Sequence, residues 1–203
     1  MTDAPSPIAA APVGRKLLTR DERRAAIIHS AAQAFARTGY AATSMEEVAR
    51  ASGVTKLIVY RAFESKEVLY RAVLESVSSR LAEIYLGESD AARRPAGARA
   101  LLTAAREEPD GFVLLWRHAA REVPFAPYAN AFRELVVDMT RGLIAPRFEG
   151  DATLLDWAAG ALVGWNVEAV LSWIEHGDSA RDEEFLDLAS RTVRAMLRTW
   201  ART

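Results

Sequence analysis

Cysteine is absent from all 203 residues, which excludes disulfide staples and thiolate metal sites. Histidine is scarce: His29, His118 and His176 fall on separate helical patterns with no companion at metal-ligand spacing, so no metal is expected. A phosphate-cradling glycine loop and a nucleophile motif are both missing. Together these lacks argue against an enzyme and against a bound cofactor. No run of alternating apolar and polar residues is bounded by turn signals, so no strand is expected. A secretory leader is not recognisable either, because the first eighteen residues carry Pro5, Pro7 and Pro12 and no apolar core. A cytoplasmic location follows as the expectation.

Charge of either sign is also nearly lacking in sum, at −1, but it is unevenly spread. From Arg15 to Lys66 ten Lys or Arg stand against five Asp or Glu, whereas from Glu67 onward sixteen stand against twenty-one. A basic first third on an acidic body suits a small DNA-binding unit joined to a larger module. With half of its residues hydrophobic, the chain has enough apolar material for one or two ordinary cores.

The stretch SMEEVARASGVTKLIVYRAF, residues 44–63, carries the functional signal. Two short helical patterns, Met45 to Ala51 and Lys56 to Phe63, are separated by four residues centred on Gly53. That is the plan of a helix-turn-helix. Ser44 with Glu47 forms a capping box that fixes the start of the first helix, and Gly53 supplies the positive φ that ends it. Ala49 is small enough for the two helices to cross closely. On the second helix Val59 and Phe63 share the inward face, while Leu57, Arg61 and Glu64 point away and Tyr60 lies at the flank.

Around this motif the chain divides into a Pro- and Ala-rich flexible arm over 1–18, a DNA-binding unit over 19–64 and a helical effector and dimerisation unit over 65–203. A second capping box, Thr19 with Glu22, opens a first helix that carries Ile27, Ile28, Ala31, Ala34 and Phe35 inward and stops near Gly39. Ser65 begins a long helix to about residue 86, followed by a charged linker over 87–97. Further helices are expected over about 97–107, 110–122, 126–147, 152–176 and 180–202. The fold class is therefore all-α, with about nine helices.

The first 70 residues resemble the TetR family of transcriptional regulators. The resemblance rests on Gly39-Tyr40 closing the first helix, Thr43-Ser44 entering the second, Ala49 to Val54 as the turn, Tyr60 to Phe63 in the recognition helix and Ser65 to Glu67 opening the fourth. Leu57 and Ile58 replace the small or hydroxyl residues frequent there, and Ala62 stands where histidine is common. The resemblance implies a homodimer that binds a palindromic double-stranded DNA operator and responds to a small-molecule effector held by the C-terminal helices. Repression released by the effector is the expected mode; ligand-responsive activation by the same fold is the alternative, with a small all-α enzyme behind it.

Residue types at the helix starts and on the outward face give the DNA-contact set. Thr43, Ser44, Thr55, Lys56 and Lys66 suit phosphate oxygens. Tyr60 reaches a phosphate, Arg61 reads a base edge, and Leu57 packs on a thymine methyl or a sugar. Arg15 and Lys16 are placed to enter the minor groove as an arm.

From Trp157 to Ile174 only Glu168 is charged and apolar residues occupy every face, so that helix is expected to be buried on all sides. A membrane span is the rival reading, but Asn166 and Glu168 near the centre oppose it. The dimer seam is expected from Ala158, Leu162, Ala169 and Trp173 on this helix and from the stripe Phe185, Ala189, Val193, Met196 and Trp200 on the last. Phe112, Trp116, Tyr128, Phe132, Met139, Trp165 and Asn166 are the candidate effector-pocket residues, and the effector they suggest is apolar or aromatic.

Overall fold

The computed structural model describes residues 19–86, 97–148 and 150–201. The arm over 1–18, with Arg15 and Lys16, lies outside the described residues, as does all but the last residue of the 87–97 linker. The described residues form nine α-helices and contain no strand.

Helix α1 (Arg20–Ala42) starts at the expected capping box: the Glu22 amide donates to Thr19 Oγ1 at 3.2 Å and the Thr19 amide to Glu22 Oε2 at 2.7 Å. It breaks at Gly39, which has φ +81°, a conformation that L side chains avoid. Helices α2 (Met45–Ala51) and α3 (Lys56–Ala62) are joined through Gly53 at φ +65°. Ile27, Ala31, Phe35, Val48, Ala49, Val59 and Phe63 form their shared interior.

Helix α4 (Lys66–Leu86) packs on α1 at one end and on α5 (Gly97–Glu107) and α6 (Pro109–Val113) at the other. Its inward residues Leu69, Tyr70, Val73, Leu74 and Val77 carry the core without a break across the 64/65 boundary. The helix expected over 110–122 is interrupted. After α6 the backbone widens into a π-helical turn at Leu114–His118 and tightens into a 3₁₀ turn at Ala119–Arg121. Phe112, Leu114, Leu115, Trp116 and Ala119 are all buried, more inward positions than one face of a regular helix offers, and i→i+5 bonding turns the extra one inside.

Helix α7 (Ala126–Ile144) ends in a 3₁₀ turn, Ala145–Arg147, around Pro146, which has no amide to continue the helix. Helix α8 (Ala152–His176) runs through the middle of this half, against α5, α7 and α9 (Asp182–Trp200). By length and composition α8 is apolar enough to cross a membrane, yet Ala158, Ala159, Leu162, Val163, Val167, Val170 and Leu171 are buried against the protein's own helices. The expectation of burial on all sides is corrected: Trp157 is 52% exposed, and Gly160 and Gly164 have open space where a Cβ would stand.

Candidate functional site

The recognition helix is held from three sides. Val59 and Phe63 anchor its inner face at 0% and 1% exposure. Arg24 of α1 donates from Nη1 to the Ala62 carbonyl at 3.1 Å and lays its guanidinium 4.1 Å from the centre of the Phe63 ring, so a cation meets the carbonyl end of α3. Arg24 was absent from the expected set; its signal, a basic residue on the exposed side of α1, is indistinguishable in sequence from an ordinary solvated charge. At the start of α2 the capping box is closed, with Ser44 donating from Oγ and from its amide to Glu47 Oε2 and the Glu47 amide donating back to Ser44 Oγ at 3.2 Å. These bonds hold the Glu47 carboxyl below its usual range, the backbone bond from Ser44 contributing most.

Leu57 (60% exposed), Tyr60 (44%) and Arg61 stand outward together on α3. Thr55 caps α3 without using its hydroxyl in a cap bond, which leaves that donor on the open surface. Lys56 is exposed and only loosely paired, 3.9 Å from Glu46. Two expected contacts are corrected. Thr43 is 1% exposed, and its hydroxyl donates to the Gly39 carbonyl at 2.7 Å with Thr38 Oγ1 also 2.7 Å away; its amide donates to Gly39 as well. Thr43 therefore closes the break in α1 and offers nothing to a phosphate. Lys66 donates to the carbonyls of Tyr40 and Ala41 at 2.8 and 3.1 Å and sits over the Tyr40 ring, so two of its three donors tie α4 to the end of α1.

An aromatic cluster links this surface to the rest of the chain. Tyr40 and Tyr70 pack on each other and on Phe125, whose ring centre lies 4.9 Å from the former and 4.2 Å from the latter. Burial pushes both tyrosine hydroxyls to higher pKa.

A cavity of about 490 Å³ opens between α4, α5, α7 and α8, within the size range of small-molecule sites. Of the candidate pocket residues, Trp116, Phe132, Met139 and Asn166 line it. Phe112, Tyr128 and Trp165 do not. Phe112 is fully buried behind Trp116, the Tyr128 hydroxyl is 2.6 Å from Ser78 Oγ on α4, and Trp165 packs on the core. The wall also includes Leu81 and Tyr85 of α4, Leu135 and Leu143 of α7, and Val193 of α9, which the sequence had assigned to a dimer seam. Among the described residues no Asp, Glu, Lys, Arg or His lines the cavity. Among the described residues two buried side-chain polar atoms have no hydrogen-bond partner, Trp116 Nε1 and Asn166 Oδ1, and both residues belong to this wall.

The expected seam residues are largely used inside the chain. Ala158, Leu162 and Ala189 are at most 2% exposed. Trp173 stacks on Phe185 with ring centres 4.9 Å apart and donates from Nε1 to Asp182 Oδ1 at 2.7 Å. Trp200 packs on Trp157, Met196 joins the second core cluster, and Ala169 is half-buried. The apolar stripe of α9 is real, but it faces α8 and α5 of the same chain. Opposite it stand the exposed Leu188 and Ala195.

A cradled, outward-facing second helix of a helix-turn-helix, joined through α4 to a body with an apolar cavity, defines a DNA-binding regulator of helix-turn-helix type. Residues 27–73 match the family model for bacterial regulatory proteins of the tetR family. The chain is 29% identical over 168 residues to the HTH-type transcriptional activator FasR of Mycolicibacterium smegmatis, covering 78% of this chain and 75% of that protein. It is 38% identical over 78 residues to an HTH-type transcriptional repressor of Mycobacterium tuberculosis, covering 38% and 42% respectively. A crystal structure of a TetR-like transcriptional regulator from Rhodococcus has the same fold, with TM-score 0.67 at 20% identity over 88% of this chain and 99% of that one. Residues 27–73 are thus a tetR-type DNA-binding unit, the chain as a whole is similar to regulators of that family, and it is a DNA-binding transcriptional regulator.

Proposed function

We propose that this protein is a cytoplasmic homodimeric repressor that binds a palindromic operator and leaves it when an apolar small molecule fills the α4–α8 cavity. The observation that carries the reading is the cavity itself: among the described residues none in its wall is charged, and two wall residues hold unpartnered polar atoms. A buried polar atom without a partner is costly, and a ligand bearing one donor and one acceptor relieves both. At the DNA end, Thr55, Lys56, Tyr60 and the open amides at the helix starts suit phosphates, while Arg61, exposed and outside every ion pair among the described residues, suits a guanine edge. Ser44 adds a rigid helix start, and Lys66 retains one donor for the backbone.

Two copies would meet through the outward faces of α8 and α9, which carry Trp157, Gly160, Ala161 and Gly164 on the one and Leu188 and Ala195 on the other. Small residues let a second helix approach closely, and the exposed Trp157 and Leu188 supply apolar area. Activation is the second reading, favoured by the name of the FasR relative. The test is a footprint on the protein's own upstream region followed by a ligand screen. A repressor loses the footprint and gains transcription on adding ligand; an activator loses transcription with the footprint, and a footprint that no cavity ligand disturbs refutes effector release.

A further inference from the structure

Building on the effector-cavity reading above, we infer that the cavity selects an electrically neutral amphiphile, an alkyl or prenyl chain carrying a hydroxyl or carboxamide head, and rejects the corresponding carboxylate. The chain is set by α7. Leu135, Met139 and Leu143 recur every fourth residue along one side of that helix and all line the cavity, giving an apolar track about 12 Å long at 1.5 Å per residue. Leu135 and Leu143 are 55% and 57% exposed, so the track runs to the surface and gives the chain a way in.

The head is set by Asn166. Its Nδ2 donates to the Leu162 carbonyl at 2.9 Å, whereas its Oδ1 is out of contact with solvent and has no donor. The amide turns easily about its last torsion, which is enough to aim Oδ1 at a ligand. Trp116 Nε1 is the complementary unpartnered donor, and the Trp116 side chain is 7% exposed. A hydroxyl or a carboxamide both donates and accepts, whereas a carboxylate only accepts. It would face an unpartnered Oδ1 and bury its charge without a cation, which is far costlier than burying a hydroxyl. Two arginines around the cavity are engaged elsewhere, Arg141 with Asp138 and Asp156 and Arg117 with Glu168 and Glu175. Arg194 lines a separate pocket of about 160 Å³ that shares the Asn166 wall, and among the described residues it and Arg133, which stands against the Trp116 ring and in no ion pair, are the candidate counter-charges.

The test uses decanol, decanamide and decanoate with the full-length protein at neutral pH, read by tryptophan fluorescence and by operator release. Expected are decanol and decanamide binding at least about tenfold more tightly than decanoate, and a loss of roughly tenfold for both neutral ligands in Asn166→Leu. Trp116→Phe, which keeps a ring but removes the N–H, is expected to weaken the same two ligands and serves should Asn166→Leu fail to fold. Decanoate binding as tightly as decanol, above all if Arg194→Ala abolishes it, overturns the neutral-head inference while leaving the cavity reading in place. No response to any of the three overturns both.

Discussion

A Cβ placed on Gly111 would stand 2.6 Å from Cγ2 of Val77. Helix α6 therefore lies on α4 with no room for one more methyl group. Alanine is the better helix former, but the overlap decides the sign, and the forced shift of α4 costs about 1–3 kcal/mol. Because α4 begins at the DNA-binding helices, Gly111→Ala is expected to lower both the urea midpoint and operator affinity. An unchanged midpoint would show that the helices part freely.

Arg24 holds the far end of the recognition helix without standing on its reading face. Arg24→Ala is expected to cost stability by no more than about 1 kcal/mol, as suits an exposed cation over a ring, yet to weaken the operator complex by letting α3 fray at Ala62. Fluorescence anisotropy on operator DNA, beside a thermal melt, separates the two effects. Arg24→Lys should restore only part of the affinity, since an ammonium lacks the planar fork.

Arg61 and Lys56 should behave differently from each other. Arg61→Ala is expected to cost about 1–3 kcal/mol at one base step and to relax preference there, while Lys56→Ala weakens all sequences alike and lowers the salt slope by about one. Binding to operator and to scrambled duplex across a salt series checks both; Arg61→Ala with unaltered sequence preference removes Arg61 from the reading set.

The outward positions of α8 and α9 predict how the proposed dimer comes apart. Gly164→Glu and Leu188→Glu should yield folded monomers in sedimentation velocity, because each puts a charge on a face that is open in the single chain. Val193→Glu should instead unfold the protein, since Val193 lies between the cavity and the core. A folded monomer from Val193→Glu and a dimer from Leu188→Glu would reverse the assignment.

Acid should weaken the DNA-binding end through its caps. The Glu22 and Glu47 carboxyls are held below their ordinary pKa, chiefly by the backbone amides of Thr19 and Ser44. A lowered folded pKa contributes stability that is present above the unfolded value, about 4.3, and is lost as pH falls through the folded one. The variant carrying Glu22→Gln and Glu47→Gln keeps both caps in neutral form, so it should be less stable than wild type at pH 7 and show a flatter fall on acidification. Urea midpoints measured at both ends of that range check the slope.

The helix-turn-helix was legible because its signals are local. Capping at Ser44, the positive φ at Gly53 and the inward pair Val59 and Phe63 each depend on residues a few places apart. Helix α8, expected over about 152–176 between Gly150 and Gly177, was legible for a similar reason and runs over Ala152–His176. Thr43 was misread because a hydroxyl before a helix looks the same whether it faces a phosphate or bonds back to Gly39. The stripe on α9 was legible as a covered face, but periodicity does not report which chain covers it, and within the single chain it packs on α8 and α5.

By itself the sequence determined an all-α chain, the boundaries of most helices and the helix-turn-helix with its resemblance to the TetR family, since each follows from short-range spacing and capping chemistry. Only the tertiary structure decided that Val193 and Leu135 share a wall with Asn166, that Arg24 closes the end of α3, and that Leu188 is left outside while Ala189 is taken in. These depend on which helices cross and how closely. Such crossings are set by side-chain volumes contributed from several elements at once, and no single stretch of sequence contains them.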